Sequence, residues 1–386
     1  MRRIAVVTTS RSEYGILRPV LRRMDADPEL DLLLIVSGSH LGAGHHSLDE
    51  IERDGIPIAA RIELFESGRD DDPAAFAAAI GRGLERFALV FADLRPELVL
   101  IVGDRAELLA VAAAALPQRI PLAHVHGGEV TEGAFDELTR HALTKLSHLH
   151  FASTEEHARR IRQLGEEPWR VVVSGAPALD ALHEFAAIED LELERLIGMS
   201  VERPTLLVTY HAPTLEAADV REGATALLTA VARSGLPVVL THPNADPGGA
   251  AIAELIDEFA ASRADVRAVP SLGADAYAAL LRRVVAVVGN SSSGLIEAPT
   301  FELPVVNVGS RQDGRLRAAN VIDVGVSAEE IADGIRRALS PGFRASLAGL
   351  VNPYGDGRAS ERIVDTLKRV EPGPALLRKR FVDCDA

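Results

Sequence analysis

One loop of the chain gathers acids, histidines and an arginine densely enough to suggest proton chemistry. Residues 124–141 read H-V-H-G-G-E-V-T-E-G-A-F-D-E-L-T-R-H, placing Glu129, Glu132, Asp136 and Glu137 close in sequence to His126, Arg140 and His141. Proton transfer at carbon requires one group that removes a proton and another that supplies one, and clustered acids beside a base suit it. His124 and His126 alternate, so on a strand they would face the same way and could share a zinc ion. No C-x-x-C or H-E-x-x-H accompanies them, and no metal is expected. His148 and His150 read as packing residues of the next strand.

A second stretch points to phosphate. Residues 284–297 read V-V-A-V-V-G-N-S-S-S-G-L-I-E, a β-branched run that ends at Gly289 and opens at Gly294 into an apparent helix. Unpaired N–H groups at a helix start form an anion site, and Ser291, Ser292 and Ser293 add hydroxyl donors. Glu297, about one turn on, is placed to accept from a ribose diol, so the pattern suggests a nucleoside diphosphate. The competing use of the same residues is a plain serine N-cap.

Smaller clusters also follow hydrophobic runs. T-T-S-R-S-E-Y-G puts Arg11 and Gly15 at a helix start, a guanidinium and a pliant backbone suited to phosphate. In Gly103-Asp104-Arg105 the carboxylate either meets substrate or caps a helix. Thr209-Tyr210-His211 and Thr241-His242-Pro243-Asn244 each bring a histidine to a strand end, and Gly309-Ser310-Arg311-Gln312 adds Arg311.

The elements that must position these residues alternate. Strands are expected at 4–8, 32–36, 98–102, 122–125, 150–152 and 171–173, with helical patterns over 73–94 and 105–116. A charged stretch at 184–203 breaks the rhythm, which resumes with strands at 206–209, 238–240, 266–269, 284–288 and 305–308. This implies two doubly wound α/β domains whose ligands bind at the C-terminal ends of the strands.

At 386 residues and 41.2 kDa the chain has room for two domains, and 47% apolar content supplies their cores. No apolar run is long enough for a bilayer, and Met1-Arg2-Arg3-Ile4 shows no leader pattern. The single cysteine, Cys384, excludes an internal disulfide framework and fits a reducing, cytoplasmic setting. A net charge of −15 argues against nucleic acid as a partner.

Taken in order, these motifs resemble the UDP-N-acetylglucosamine 2-epimerase family, in particular its hydrolysing branch from sialic and legionaminic acid biosynthesis. The likeness is carried by R-S-E-Y-G from Arg11, G-D-R from Gly103, H-G-G-E-V-T-E-G-A-F-D-E from His126 and R-H-A-L-T-K-L-S-H from Arg140. G-N-S-S-S-G-L-I-E-A-P from Gly289 and N-V-G-S-R-Q-D-G-R from Asn307 complete it.

The resemblance implies a GT-B fold: two Rossmann-like doubly wound domains with an interdomain active-site cleft. It divides the chain into 1–183, 184–356, and a C-terminal helix and tail at 357–386. UDP is expected on His211, Ser291, Ser292 and Glu297, with Arg11, Arg105 and Arg311. Asp104, Glu129 and Asp136 are the expected catalytic acids, supported by Arg140, His40 and His141. Some relatives carry glutamate where this chain has His126, and their histidine-proline pair is here His211-Ala212-Pro213.

The implied reaction eliminates UDP from UDP-N-acetylglucosamine to give a glycal, then hydrates it to N-acetylmannosamine, with no cofactor. UDP-2,4-diacetamido-2,4,6-trideoxyglucose is the alternative substrate. A non-hydrolysing 2-epimerase and a GT-B glycosyltransferase are further alternatives. The resemblance also implies a homodimer or homotetramer.

Overall fold

The computed structural model describes residues 1–42, 47–65, 73–132, 136–184, 188–212, 220–243, 248–270 and 272–383. Pro213, Asn244 and Cys384 lie outside them. The chain divides into two compact units: unit 1 is Met1–Glu129, Asp136–Asp180 and Tyr354–Ala386, and unit 2 is Val130–Phe135 and Ala181–Pro353.

Unit 1 holds β1 (Arg2–Thr8), β2 (Leu30–Ser37), β3 (Ile58–Ile62), β4 (Leu98–Val102), β5 (Leu122–Val125), β6 (Leu149–Ala152) and β7 (Val171–Val173). They form one parallel sheet in the order β3-β2-β1-β4-β5-β6-β7. Every residue of β4 is buried, as a strand covered on both faces must be. Leu98, Leu100 and Val102 enter one core with Ile4, Val6 and helix Arg11–Asp25; Val99 and Ile101 enter another with Ala5, Val7 and helix Leu108–Ala115. The period-2 alternation of a strand thus feeds two cores.

Unit 2 repeats the plan with β8 (Leu206–Thr209), β9 (Val238–Thr241), β10 (Val266–Val269), β11 (Ala286–Gly289), β12 (Val305–Val308) and β13 (Val321–Val324). Its parallel order is β10-β9-β8-β11-β12-β13. In each sheet the connection reverses direction once, between β1 and β4 and between β8 and β11. A doubly wound sheet opens its ligand crevice at that switch point, beyond the C-terminal strand ends.

Two strands escape the sequence pattern. β3 and β13 are edge strands whose residues alternate between partly buried and exposed, rather than forming the continuous buried run of a central strand. The strand expected at 284–288 runs instead from Ala286 to Gly289. The helix expected over 105–116 is Leu108–Ala115, and the charged 184–203 stretch contains helix Asp190–Ile197.

Candidate active site

The β1–β4 switch point of unit 1 is lined by the loops that follow those strands. Ser10 caps helix Arg11–Asp25 in a capping box with Glu13. Glu13 is buried; its Oε2 accepts from Thr9 N–H at 2.6 Å, Thr9 Oγ1 at 2.8 Å and Ser10 N–H at 3.2 Å. Burial pushes its carboxyl up to about 7, although Arg105 and the Thr9 N–H act to lower it. Arg11 is the exposed first residue of this helix. Gly15, expected to loosen a turn, lies inside the helix, so backbone pliancy at that helix start is corrected to a rigid, capped start.

His40 is buried, with Nε2 2.9 Å from Thr8 Oγ1 and Nδ1 2.9 Å from Ser47 Oγ. After β4, Gly103 takes a φ of 81°, a conformation that favours glycine, and turns Asp104 out of the strand. Arg105 bonds Glu107 at 3.0 Å.

The acid-rich loop is anchored by Arg140, which is only 2% exposed. Its guanidinium donates to Asp104 Oδ2, to Glu137 Oε2 at 3.1 Å and to the Glu129 carbonyl at 3.2 Å. Glu137 Oε1 is 2.9 Å from His141 Nε2. Asp104, Glu137, Arg140 and His141 are therefore one network. Asp136 opens helix Asp136–Leu146 and is partly buried.

A second network centres on buried Glu129. Its Oε1 lies 2.5 Å from His126 Nδ1 and accepts from Ser153 Oγ at 2.8 Å; Ser153 Oγ is 2.8 Å from His157 Nδ1. Sequence reading did not find Ser153 or His157, which lie after another strand and carry no motif.

The expected alternation of His124 and His126 needs correction. β5 ends at Val125, and His126 has a φ of 66°, so the two side chains do not share a strand face. His124 instead donates from Nε2 to the Gly103 carbonyl at 2.7 Å and accepts at Nδ1 from Thr144 Oγ1 at 3.3 Å. Burial holds its pKa down to about 4, so the ring is neutral. Among the described residues no group of three or more His, Cys, Asp and Glu is placed to hold a metal ion.

At the β8–β11 switch point of unit 2, Gly289 takes a φ of 134°, and a Cβ there would lie 1.9 Å from the Thr209 carbonyl oxygen. Only glycine lets the two strand ends close so tightly. Asn290, absent from the sequence-derived candidates, ties the loops together. Its side chain accepts from His211 N–H at 2.7 Å and donates to the His211 carbonyl at 2.9 Å. Its own carbonyl accepts from Gln312 at 2.8 Å and Arg311 at 3.3 Å.

The serine loop also differs from expectation. Helix Ser293–Ile296 is a single turn, and Ser292 at its N-cap makes no side-chain cap bond. So short a helix has little dipole, and the donors available to an anion are local N–H and hydroxyl groups. Ser291 Oγ is 3.3 Å from Ser293 Oγ, which in turn pairs with Tyr277. Glu297 falls at the C-cap rather than inside the helix; burial pushes its carboxyl up to about 7.

Arg315 reaches Thr131 Oγ1 at 3.3 Å within unit 2. The loop after β12 and the 130–132 segment thus pack together.

The family model for UDP-N-acetylglucosamine 2-epimerase matches residues 22–368. The chain belongs to this family. It is 36% identical over 98% of its length to a UDP-N,N'-diacetylbacillosamine 2-epimerase (hydrolyzing) of Legionella pneumophila, covering 99% of that protein. A GDP/UDP-N,N'-diacetylbacillosamine 2-epimerase (hydrolyzing) of Campylobacter jejuni is 32% identical, with 99% of each chain covered. The UDP-N-acetylglucosamine 2-epimerase of Neisseria meningitidis serogroup B is 30% identical over 99% of both.

Among solved structures, the UDP-GlcNAc 2-epimerase from Neisseria meningitidis bound to UDP-GlcNAc superimposes with a TM-score of 0.82 at 20% identity, covering 96% of this chain and 100% of that one. The family's two-domain GT-B-like fold is therefore this chain's fold. Among the described residues no helix is long and apolar enough to cross a membrane.

Proposed function

We propose that this protein is a hydrolysing 2-epimerase of a UDP-linked 2-acetamido sugar. The observation that carries this reading is the acid network at the β1–β4 switch point, where one buried arginine bonds both Asp104 and the carbonyl of Glu129, whose side chain pairs with His126. Departure of UDP puts positive charge on C1 and the ring oxygen, which acidifies C2–H enough for a modest base. Asp104 and Asp136 face the sugar, and the His126–Glu129 pair joins them in moving protons and balancing oxocarbenium charge. In unit 2, Ser291, Ser292, His211 and Arg311 bind the diphosphate, with Glu297 on the ribose. Arg11 and Arg105 add positive charge, and His40 and His141 support the sugar pocket. Donors that strengthen their hold as the diphosphate becomes the leaving group favour the transition state over the ground state. Water adds at C1 of the glycal, and a proton returns to C2 on the opposite face.

UDP-N-acetylglucosamine is the substrate that the sequence motifs imply. A second reading, UDP-2,4-diacetamido-2,4,6-trideoxyglucose, is favoured by the names of the Legionella and Campylobacter relatives at 36% and 32% identity. Both sugars are to be incubated with the enzyme in D2O, without any acceptor, and followed by NMR. The expected products are UDP and a free 2-epimerised sugar carrying deuterium at C2. Return of an intact UDP-linked 2-epimer would identify a non-hydrolysing enzyme. UDP release only after an acceptor is added would identify a glycosyltransferase.

A further inference from the structure

We propose that His126 removes the C2 proton through its Nε2 atom, and that Glu129 acts through it as a positioning residue. The proposal rests on the 2-epimerase reading and assigns one step of it. His126 lies just past the C-terminal end of β5, where a doubly wound sheet places its ligand. Its φ of 66° is a sparsely populated conformation for a residue with a Cβ. Such backbones persist where the surroundings over-determine them, and they cluster at functional sites.

Here the surroundings are tight. His126 N–H donates to the Phe151 carbonyl at 3.1 Å. A Cβ on Gly127 would lie 2.9 Å from Thr144 Oγ1 and 3.0 Å from His124 Nδ1, and one on Gly128 would lie 2.3 Å from the His157 carbonyl oxygen. The two glycines let the loop seat against helix Asp136–Leu146 and helix Glu155–Gln163, and with the bond to β6 they fix where the imidazole points.

The ring's two nitrogens have different surroundings. Nδ1 is 2.5 Å from Glu129 Oε1, and a carboxylate oxygen can only accept, so Nδ1 carries the proton. Ser153 Oγ gives its single proton to the same oxygen, which leaves its lone pair to accept from Nδ1–H of His157. The donors of His157–Ser153 and of His126 therefore converge on Glu129, and Nε2 of His126 is left as an acceptor. Among the described residues that buried atom has no hydrogen-bond partner, and the residue is only 6% exposed. His141 and His150 each also have one nitrogen without a partner among the described residues, but His150 lies near the N-terminal end of β6, hydrogen-bonded to Glu166, and His141 lies one turn into helix Asp136–Leu146.

The step balances as follows. The Nε2 lone pair takes the proton from C2, the C2–H electron pair becomes the C1=C2 double bond, and the C1–O pair leaves on the β-phosphate oxygen of UDP. The new imidazolium is held by the Glu129 carboxylate at Nδ1, as a carboxylate holds histidine in other acid–base pairs. Among the described residues the other charged or titratable groups near this pair include His124, His157 and Arg140, the last through the Glu129 carbonyl.

The test uses the full-length enzyme with both UDP-sugars. H126Q is expected to lower kcat by about 10²–10⁴-fold, the range for loss of a general base. KM should stay within about threefold, because the group acts in the transition state. E129Q is expected to cost about 10–100-fold in kcat, as loss of an orienting partner does. Nitrogen-15 NMR of labelled histidine should show His126 as the Nδ1–H tautomer in the wild type, with Nε2–H appearing in E129Q. A kcat for H126Q within about threefold of wild type would overturn the assignment. So would an Nε2–H tautomer in the wild type. A wild type inert toward both sugars sinks the 2-epimerase reading itself, and the tautomer measurement then judges the His126–Glu129 arrangement without turnover.

Discussion

Arg140 shows how one buried cation can organise a loop. Its guanidinium donates to Asp104, Glu137 and the Glu129 carbonyl, so the loops after β4 and β5 and the start of helix Asp136–Leu146 are held together. Asp104 is thereby held in one orientation at the end of β4. Asp104→Asn keeps the shape and removes the charge; turnover should fall by about 10²–10⁴-fold while UDP affinity stays at the wild-type level. Isothermal titration beside a turnover assay checks both, and an active Asp104→Asn would remove this residue from the mechanism. Glu297 gives a pH prediction. Its carboxyl is pushed up to about 7 by burial, and the ionised form is the better acceptor for ribose hydroxyls. UDP affinity should therefore rise between about pH 6 and pH 8 more steeply in the wild type than in Glu297→Gln. Identical pH slopes for the two proteins would separate Glu297 from nucleotide binding. The places of Asp104 and Glu129, in loops past the C-terminal ends of β4 and β5, were legible in the sequence because the buried runs 98–102 and 122–125 mark where those strands stop. Asn290 was not, because its role is to bond backbone groups 79 positions away in the chain.

At the scale of elements, the central strands were legible because continuous β-branched runs have one reading, whereas β3 and β13 alternate weakly at sheet edges. The start of helix Arg11–Asp25 carries a stability prediction. Glu13 has a folded-state pKa of about 7 against an ordinary value of 4.5, so folding favours its protonated form. No penalty exists well below about pH 4.5; it grows between about pH 4.5 and 7 and is constant above. Glu13→Gln should accordingly gain stability relative to wild type on going from about pH 5 to pH 9, on the order of 3 kcal/mol. Urea unfolding at the two pH values measures this, and a pH-independent difference would refute it.

The end of unit 1 rests on another buried cation. Arg170 donates to the carbonyls of His148 at 3.0 Å, Leu376 at 2.7 Å and Arg378 at 2.9 Å. Lys379 donates to the carbonyls of Lys145 at 2.7 Å and Ser147 at 2.5 Å, and it also pairs with Glu166 at 2.8 Å. Burial would raise the Glu166 carboxyl, yet bonds from His150, Lys145 and Lys379 together bring it down to about 2. Arg170→Ala leaves several carbonyls unbonded and should cost about 3 kcal/mol, read from a shifted denaturation midpoint. A change below about 0.5 kcal/mol would show that the segment is held by its other contacts.

For the molecule as a whole, the two sheets repeat one plan, and that repetition was readable from alternating strand and helix patterns. How the segments are shared between the units was not, because it depends on contacts such as Asp180 capping helix Ala359–Arg369 through the N–H groups of Ala359 and Ser360. If UDP belongs to unit 2, hydrogen exchange with UDP alone should slow at 209–212, 289–297 and 307–315. Protection confined to unit 1 would reverse the assignment of the nucleotide.

The return of 354–386 to unit 1 has a consequence for biosynthesis. Helix Ala359–Arg369 supplies Ile363, Val364 and Leu367 to the same core as β1, yet it leaves the ribosome after all of unit 2. The second unit can mature while residues 354–386 are still being made, but the first must wait, with an apolar groove uncovered, until helix Ala359–Arg369 has emerged.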